Sequence, residues 1–230
     1  MSNDSHPSLD PLKVRKYRTK GKRRTKEPCS LCFLNPNVCM CAVLPKLQLQ
    51  TRLTLAIHHY ELRKTSNTGR LAHTILENSD LVIRGRLHEQ VNLRDSLVEG
   101  YTPLLLYPVE EAQWLTHDFL AELQGPIQLI VPEGSWRQAS KVHYRHKEIA
   151  DIPRVKLPPP PEDTERLRSK NGELDMATLQ AIAYAFHYLE GPEVGKTILD
   201  VYNTKVERTL WSRGKIASAD CKTFTPPSKN

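Results

Sequence analysis

Between Thr51 and Leu157, short apolar runs alternate with stretches of helical spacing, and this alternation restricts the possible folds more than any other feature. Leu53 to Ile57 reads as a strand. Leu71, Ala72, Ile75 and Leu76 then fall on one helix face, and Leu81 to Ile83 is a strand again. Leu104 to Tyr107 is the next strand, Ala112 to Leu123 an amphipathic helix, and Ile127 to Val131 a buried strand ending at Pro132. Ser135 to Ile149 reads as helix, and Arg154 to Leu157 as a short strand stopped by Pro158 to Pro161. Successive strands joined through helices lie parallel, so the expectation is an α/β domain with a mostly parallel sheet flanked by helices.

After a polar loop around Glu162 to Glu173, Met176, Leu179, Ile182, Ala183, Phe186 and Leu189 mark one further helix. Val194, Ile198, Val201, Tyr202 and Val206 mark another. A chain of 230 residues suffices for one core with extensions. The divisions expected are a disordered basic arm over 1–27, a cysteine-bearing segment over 28–50, a catalytic domain over 51–211 and a basic tail over 212–230. The tail beyond Trp211 reads as disordered.

The formal net charge of +7 is concentrated at the two ends. Residues 1–28 carry nine basic and three acidic side chains and residues 212–230 a further net +3, which leaves the body at −2. Flexible basic ends on a nearly neutral body suit a polyanion, because Lys and Arg displace counterions from phosphates. A solvated tail with no specific partner is the plainer alternative. No window approaches the roughly 18 apolar residues of a membrane span, and no leader of basic start and apolar core is present. A cytoplasmic protein is expected, with no membrane association and no obligate protein partner evident.

Cys29, Cys32, Cys39 and Cys41 form C-x2-C-x6-C-x-C, with Cys221 far away. Four thiolates in thirteen residues match the ligand count of a closed structural zinc site, although C-x-C is tighter than the usual hairpin spacing. Reduced, unligated cysteines are the alternative.

Strand Ile127 to Val131 runs into Pro132-Glu133-Gly134-Ser135-Trp136 and then directly into a helix. Functional groups of an open parallel sheet collect beyond the carboxyl ends of its strands, which puts Glu133 where a catalytic residue is expected. Ser135 and Gln138 have capping-box spacing, so the helix presents its first N–H groups there.

The segment LIVPEGSWRQASK, residues 129–141, resembles the Asp-x-Thr-Trp signature of the DTW-domain family. Further landmarks follow the family's order: the cysteines followed by Leu44-Pro45, the Ser66 to Arg70 stretch, Leu106-Tyr107-Pro108, and Ala177 to Ala181, similar to the family's Ser-Thr-x-Glu-Ala. The resemblance implies a SPOUT-like knotted fold. It also implies transfer of the 3-amino-3-carboxypropyl group of S-adenosylmethionine to N3 of a tRNA uridine, releasing methylthioadenosine. Uridine N3 carries a proton at neutral pH, so a carboxylate base is needed, and Glu133 is the candidate.

On the same resemblance Tyr107, Pro108, Gly134, Ser135, Trp136, Ala177, Thr178 and Gln180 would contact the cofactor. Asn67, Thr68, Arg70, Arg137, Lys141 and Arg145 would contact RNA. Asn67 or Thr68 could equally cap a helix start, and Trp136 could equally be a core residue. The basic, partly aromatic stretch Lys141 to Lys147 suits a tRNA backbone or a solvated helix face. His58-His59 at a strand end reads as ordinary packing.

The chain departs from the family pattern at Glu133 for Asp, Ser135 for Thr, and Ala177 and Gln180 for Ser and Glu, with Asp175 as a substitute cap. An inactive RNA-binding relative and an S-adenosylmethionine-dependent RNA methyltransferase are the alternatives.

Overall fold

The computed structural model describes residues 27–158 and 176–227. The basic arm before Glu27, the polar loop at 162–173 and Asp175 lie outside the described residues.

Six strands form one sheet: β1 (Arg52–His58), β2 (Ser79–Arg84), β3 (Thr102–Leu106), β4 (Gln113–Trp114), β5 (Ile127–Glu133) and β6 (Arg154–Lys156). Their order is β2-β1-β5-β3-β6-β4, and every pairing is parallel. The helices are α1 (Gly69–Ile75), α2 (His117–Ala121), α3 (Trp136–Arg145), α4 (Thr178–Glu190) and α5 (Pro192–Ser212). The expected α/β class and mostly parallel sheet are therefore present. Among the described residues, no helix is long and apolar enough to cross a membrane.

Strand alternation divides the apolar residues between two layers. Leu129 and Val131 of β5 join Leu53 and Leu55 of β1 in a large core closed by Leu71 and Ile75 of α1, Phe186 of α4 and Tyr202 of α5. Ile130 points the other way and meets Val142 of α3 and Ile149.

β5 extends two residues beyond the expected strand, through Pro132 to Glu133. Pairing with β3 stops at Ile130, whereas pairing with β1 continues to Ile57 opposite Glu133. A proline fits there because the strand has only one neighbour left to bond.

Two expected helices are shorter than their periodicity suggests. Thr116 adopts extended backbone and its Oγ1 accepts from Phe119 N at 3.2 Å, so the apolar stretch from Ala112 divides into β4 and a capped α2. α3 breaks at His146, whose ψ of 78° is not helical, and resumes as a 3-10 turn over Lys147–Ile149.

The segment after α5 is held rather than loose. The Glu207 carboxylate accepts from the backbone N–H groups of Lys222 at 2.9 Å and Thr223 at 2.8 Å, and Phe224 meets Trp211 edge-on at 6.0 Å. The anchor is a carboxylate bonding to backbone, which leaves no apolar period to read.

Candidate active site

Glu133 ends β5 at the carboxyl edge of the sheet and is only 3% exposed. Its Oε1 accepts from Asn67 Nδ2 at 2.9 Å, and Asn67 Oδ1 accepts from Arg70 N at 3.1 Å. One amide therefore caps the start of α1 and orients the carboxylate. A Cβ at Gly69 would lie 2.3 Å from Glu133 Oε2 and 3.2 Å from Thr178 Cγ2. Only a glycine lets the loop, the carboxylate and the start of α4 approach so closely.

Thr68 joins the same cluster. Its Oγ1 accepts from Leu179 N at 3.4 Å, which caps α4 from another element. Ala177 occupies the N-cap position and offers no side-chain acceptor, so Thr68 supplies what the alanine lacks. Gln180, in the first turn of α4, is 0% exposed, and its amide nitrogen and oxygen lack a hydrogen-bond partner among the described residues. A buried amide in that state costs about 1–3 kcal/mol, which a ligand reaching it would offset.

Gly134 and Ser135 connect β5 to α3. Gln138 Oε1 accepts from Ser135 N at 2.8 Å and Ser135 Oγ at 3.0 Å, so the expected capping pair is formed from the glutamine side. A Cβ at Gly134 would come within 2.8 Å of Gln138 Cβ, so the turn requires glycine.

The expected site residues are not all brought together. Asn67, Thr68, Glu133, Thr178 and Gln180 belong to the face of α1 and α4. Tyr107 extends β3 on the opposite face, where it stacks on His143 at 5.4 Å and lies 6.5 Å from Trp136. Pro108 is exposed beside it. Trp136 is 46% exposed rather than a core residue. Arg137 and Arg145 are exposed and Lys141 is half-buried. Arg70 has internal contacts: it donates to Leu62 O at 2.7 Å and its guanidinium lies 4.2 Å over the Phe33 ring.

Arg84, the last residue of β2, was not legible as part of this region. It is buried and donates to Ala56 O at 3.2 Å and Gln138 O at 2.8 Å. Burial lowers its pKa to about 10, partly opposed by the charge of Glu133. An arginine closing the apolar run Leu81 to Ile83 was the available signal. His58, at the end of β1, has its pKa lowered to about 4 by burial and by Arg84, His59 and Lys141, with Glu61 opposing. It is a neutral ring whose Nδ1 accepts from Tyr60 N at 3.3 Å.

The four clustered cysteines can hold a metal ion, because their Sγ atoms all lie within 4.8 Å of one another. Cys29 and Cys41 are 3.4 Å apart, and Cys32 and Cys39 are 3.7 Å apart. Tetrahedral bonds of ~2.3 Å place sulfurs about 3.8 Å apart, so little movement is needed. Burial raises the Cys32 and Cys41 thiols; at Cys29 burial also pushes upward, but hydrogen bonds from the Cys32 and Leu31 backbone and from the Cys41 and Cys39 thiols together bring it down to about 6. Two cations of α5 hold the segment: Lys205 donates to Cys32 O, and Arg208 to Cys39 O at 2.5 Å. Neither was anticipated, because each sits within the apolar pattern of α5.

Two curated relatives are similar to the chain: tRNA-uridine aminocarboxypropyltransferase 2 of Macaca fascicularis, 28% identical over 175 residues, and the protein of the same name from Mus musculus, 26% identical over 167. Those alignments cover 74% and 70% of the chain but 58% and 56% of the relatives, so the chain spans little more than half their length. No solved structure gives a significant match. The family model described as the DTW domain matches residues 26–210, from just before the first cysteine to the last turn of α5 and including Asn67, Glu133 and Thr178. On that match, the chain belongs to the DTW-domain family.

Proposed function

We propose that this chain is a tRNA-uridine aminocarboxypropyltransferase: it moves the 3-amino-3-carboxypropyl group of S-adenosylmethionine to uridine N3, with Glu133 as base. The observation that carries this reading is the oriented Glu133–Asn67 pair at the carboxyl edge of a parallel sheet in a DTW-domain chain. The names of the curated relatives support the same reaction.

The residues present fit the cofactor. The orphaned Gln180 amide suits its amino and carboxylate groups. Thr178 and Gln180, with Gly134 and Ser135, would hold it on that face. Tyr107, Pro108 and Trp136 lie across the edge and suit a flat ring. Bound S-adenosylmethionine supplies an electrophilic methylene beside its sulfonium. Glu133 takes the N3 proton, Asn67 keeps the carboxylate aimed, and the buried setting limits competing water. Zinc at the four cysteines is assigned a structural role, packing their segment on α5. A SPOUT-like knot, a cytoplasmic location and phosphate contacts through Arg137, Lys141, Arg145 and the basic arm complete the reading.

Mass analysis of nucleosides after incubating protein, S-adenosylmethionine and tRNA tests it. An aminocarboxypropyl uridine is expected, and a methylated nucleoside instead would assign the chain to the methyltransferases.

One observation favours a second reading. Glu133 is almost fully buried and already engaged by Asn67, and Ala177 and Gln180 replace family residues. In that reading Glu133 is a clasp for the loop before α1, and the chain binds RNA without modifying it. A titration with S-adenosylmethionine that never saturates would support that reading over the first.

A further inference from the structure

On the α3 side of the sheet, away from Glu133, four rings form a continuous row. Trp136 lies 6.5 Å from Tyr107, Tyr107 stacks on His143 at 5.4 Å and 21°, and His143 meets Tyr144 edge-on at 4.5 Å. Trp136 and Tyr144 are eight residues apart on α3, about 12 Å along its axis. Of the two inner rings Tyr107 is buried and His143 half-buried, whereas the end rings are 46% and 61% exposed. Large aromatic surface left in water at both ends of a packed row marks a place where something flat is received.

The row ends at a cavity of about 480 Å³ between α3 and the loop entering β6, lined by Glu111, His143, Tyr144, Lys147, Ile152 and Arg154 among others. That volume is within the range of small-ligand sites. Arg154 is fixed from within: Nη1 donates to Ile149 O at 3.0 Å, Ala150 O at 2.8 Å and Ile152 O, and Nε donates to His143 Nδ1 at 3.3 Å. Four neutral acceptors hold the guanidinium, and among the described residues no carboxylate pairs with it, so its positive charge is not cancelled at contact. The neighbouring Asp151 also lines the cavity and its charge acts on Arg154, but its carboxylate is engaged by Arg94. The bond from Arg154 leaves the His143 proton on Nε2 and the ring neutral. Lys147 adds a second, exposed cation.

We infer that this cavity is a subsite for an unpaired nucleotide flanking the target uridine, its base stacked on Tyr144 and its phosphate held by Arg154 and Lys147. The inference rests on the reading that the substrate is tRNA. Stacking needs an unpaired base, since a paired one keeps its faces inside the helix. Glu111 accepts from ring or exocyclic N–H groups, which nucleobases have. An acidic phosphopeptide would meet the same cations, but it gains nothing from the exposed rings and is repelled by Glu111. The strand would cross the carboxyl edge at Trp136, joining this subsite to the Glu133 face.

Binding of a labelled RNA hairpin with an unpaired loop, compared with a labelled duplex of equal length, tests the subsite on the full chain. Tyr144→Ala should weaken hairpin binding about tenfold and leave the duplex unchanged, and Tyr144→Phe should restore the hairpin. Tyr144 is exposed, so folding is not at stake. Hairpin binding by Tyr144→Ala equal to the parent overturns the subsite and leaves the tRNA reading standing. A parent chain that binds neither RNA removes both. Displacement of the hairpin by a phosphopeptide at equal concentration overturns the nucleotide assignment.

Discussion

Asn67 donates from Nδ2 to Glu133 Oε1 at 2.9 Å with each residue 3% exposed, so a loop residue and a strand end 66 positions apart share one buried bond. The other end of the same amide caps α1 at Arg70 N. Asn67→Ala should therefore cost about 1–3 kcal/mol in urea unfolding, since it removes a cap and leaves a buried carboxylate short of a donor. Asn67→Asp keeps the cap acceptor but sets two carboxylates against each other. Its deficit should shrink as pH falls and one of them takes a proton, and a pH-independent deficit would show that the pair is not in contact.

How much of this was legible follows from which residues made the contacts. The βα alternation reports apolar burial directly, so β1, β2, β3 and β5 could be read from Leu53, Leu81, Leu104 and Ile127 onward. Glu133 could be located because it follows a fully apolar run and precedes a capped helix. Thr68 capping α4 joins residues 111 positions apart, and Arg154 is fixed by three nearby backbone carbonyls; neither contact leaves an apolar period to read. Nor could the division of Tyr107 and Glu133 between the two faces be read, since it depends on the phase of each strand at its last residue.

His58 should make stability depend on pH. Burial, Arg84, His59 and Lys141 hold its folded pKa at about 4, below the ordinary 6.5 of an unfolded chain. The unfolded state thus binds more protons between those values. This contribution is complete above about pH 6.5 and is lost as pH falls toward about 4, with a slope approaching ~1.4 kcal/mol per pH unit. His58→Asn retains an acceptor for Tyr60 N and should flatten the slope in urea unfolding. An unchanged slope would place the acid-sensitive group elsewhere.

Purified protein should carry about one zinc per chain, and Cys39→Ser should lose it together with order in the segment packed on α5. Metal analysis beside hydrogen exchange reads both. A metal-free, fully protected segment that accepts no added zinc would remove the metal assignment.

Deleting residues 1–26 removes nine basic side chains against two acidic ones. Binding to tRNA should weaken and its salt dependence flatten, because fewer counterions are released. Affinity equal to the parent's at both low and high salt would show that the arm does not touch RNA.

The most direct test of the proposed chemistry is the single-turnover rate of Glu133→Gln, measured beside its affinity for S-adenosylmethionine. Glutamine keeps an oxygen that can accept from Asn67, so the fold and the cofactor site should survive while the base is lost. The rate should fall by at least about a hundredfold with cofactor binding little changed, the pattern of a group needed only in the transition state. Glu133→Asp should keep or raise activity. Transfer by Glu133→Gln as fast as by the parent would contradict the assignment and leave Glu133 as a clasp for the α1 loop.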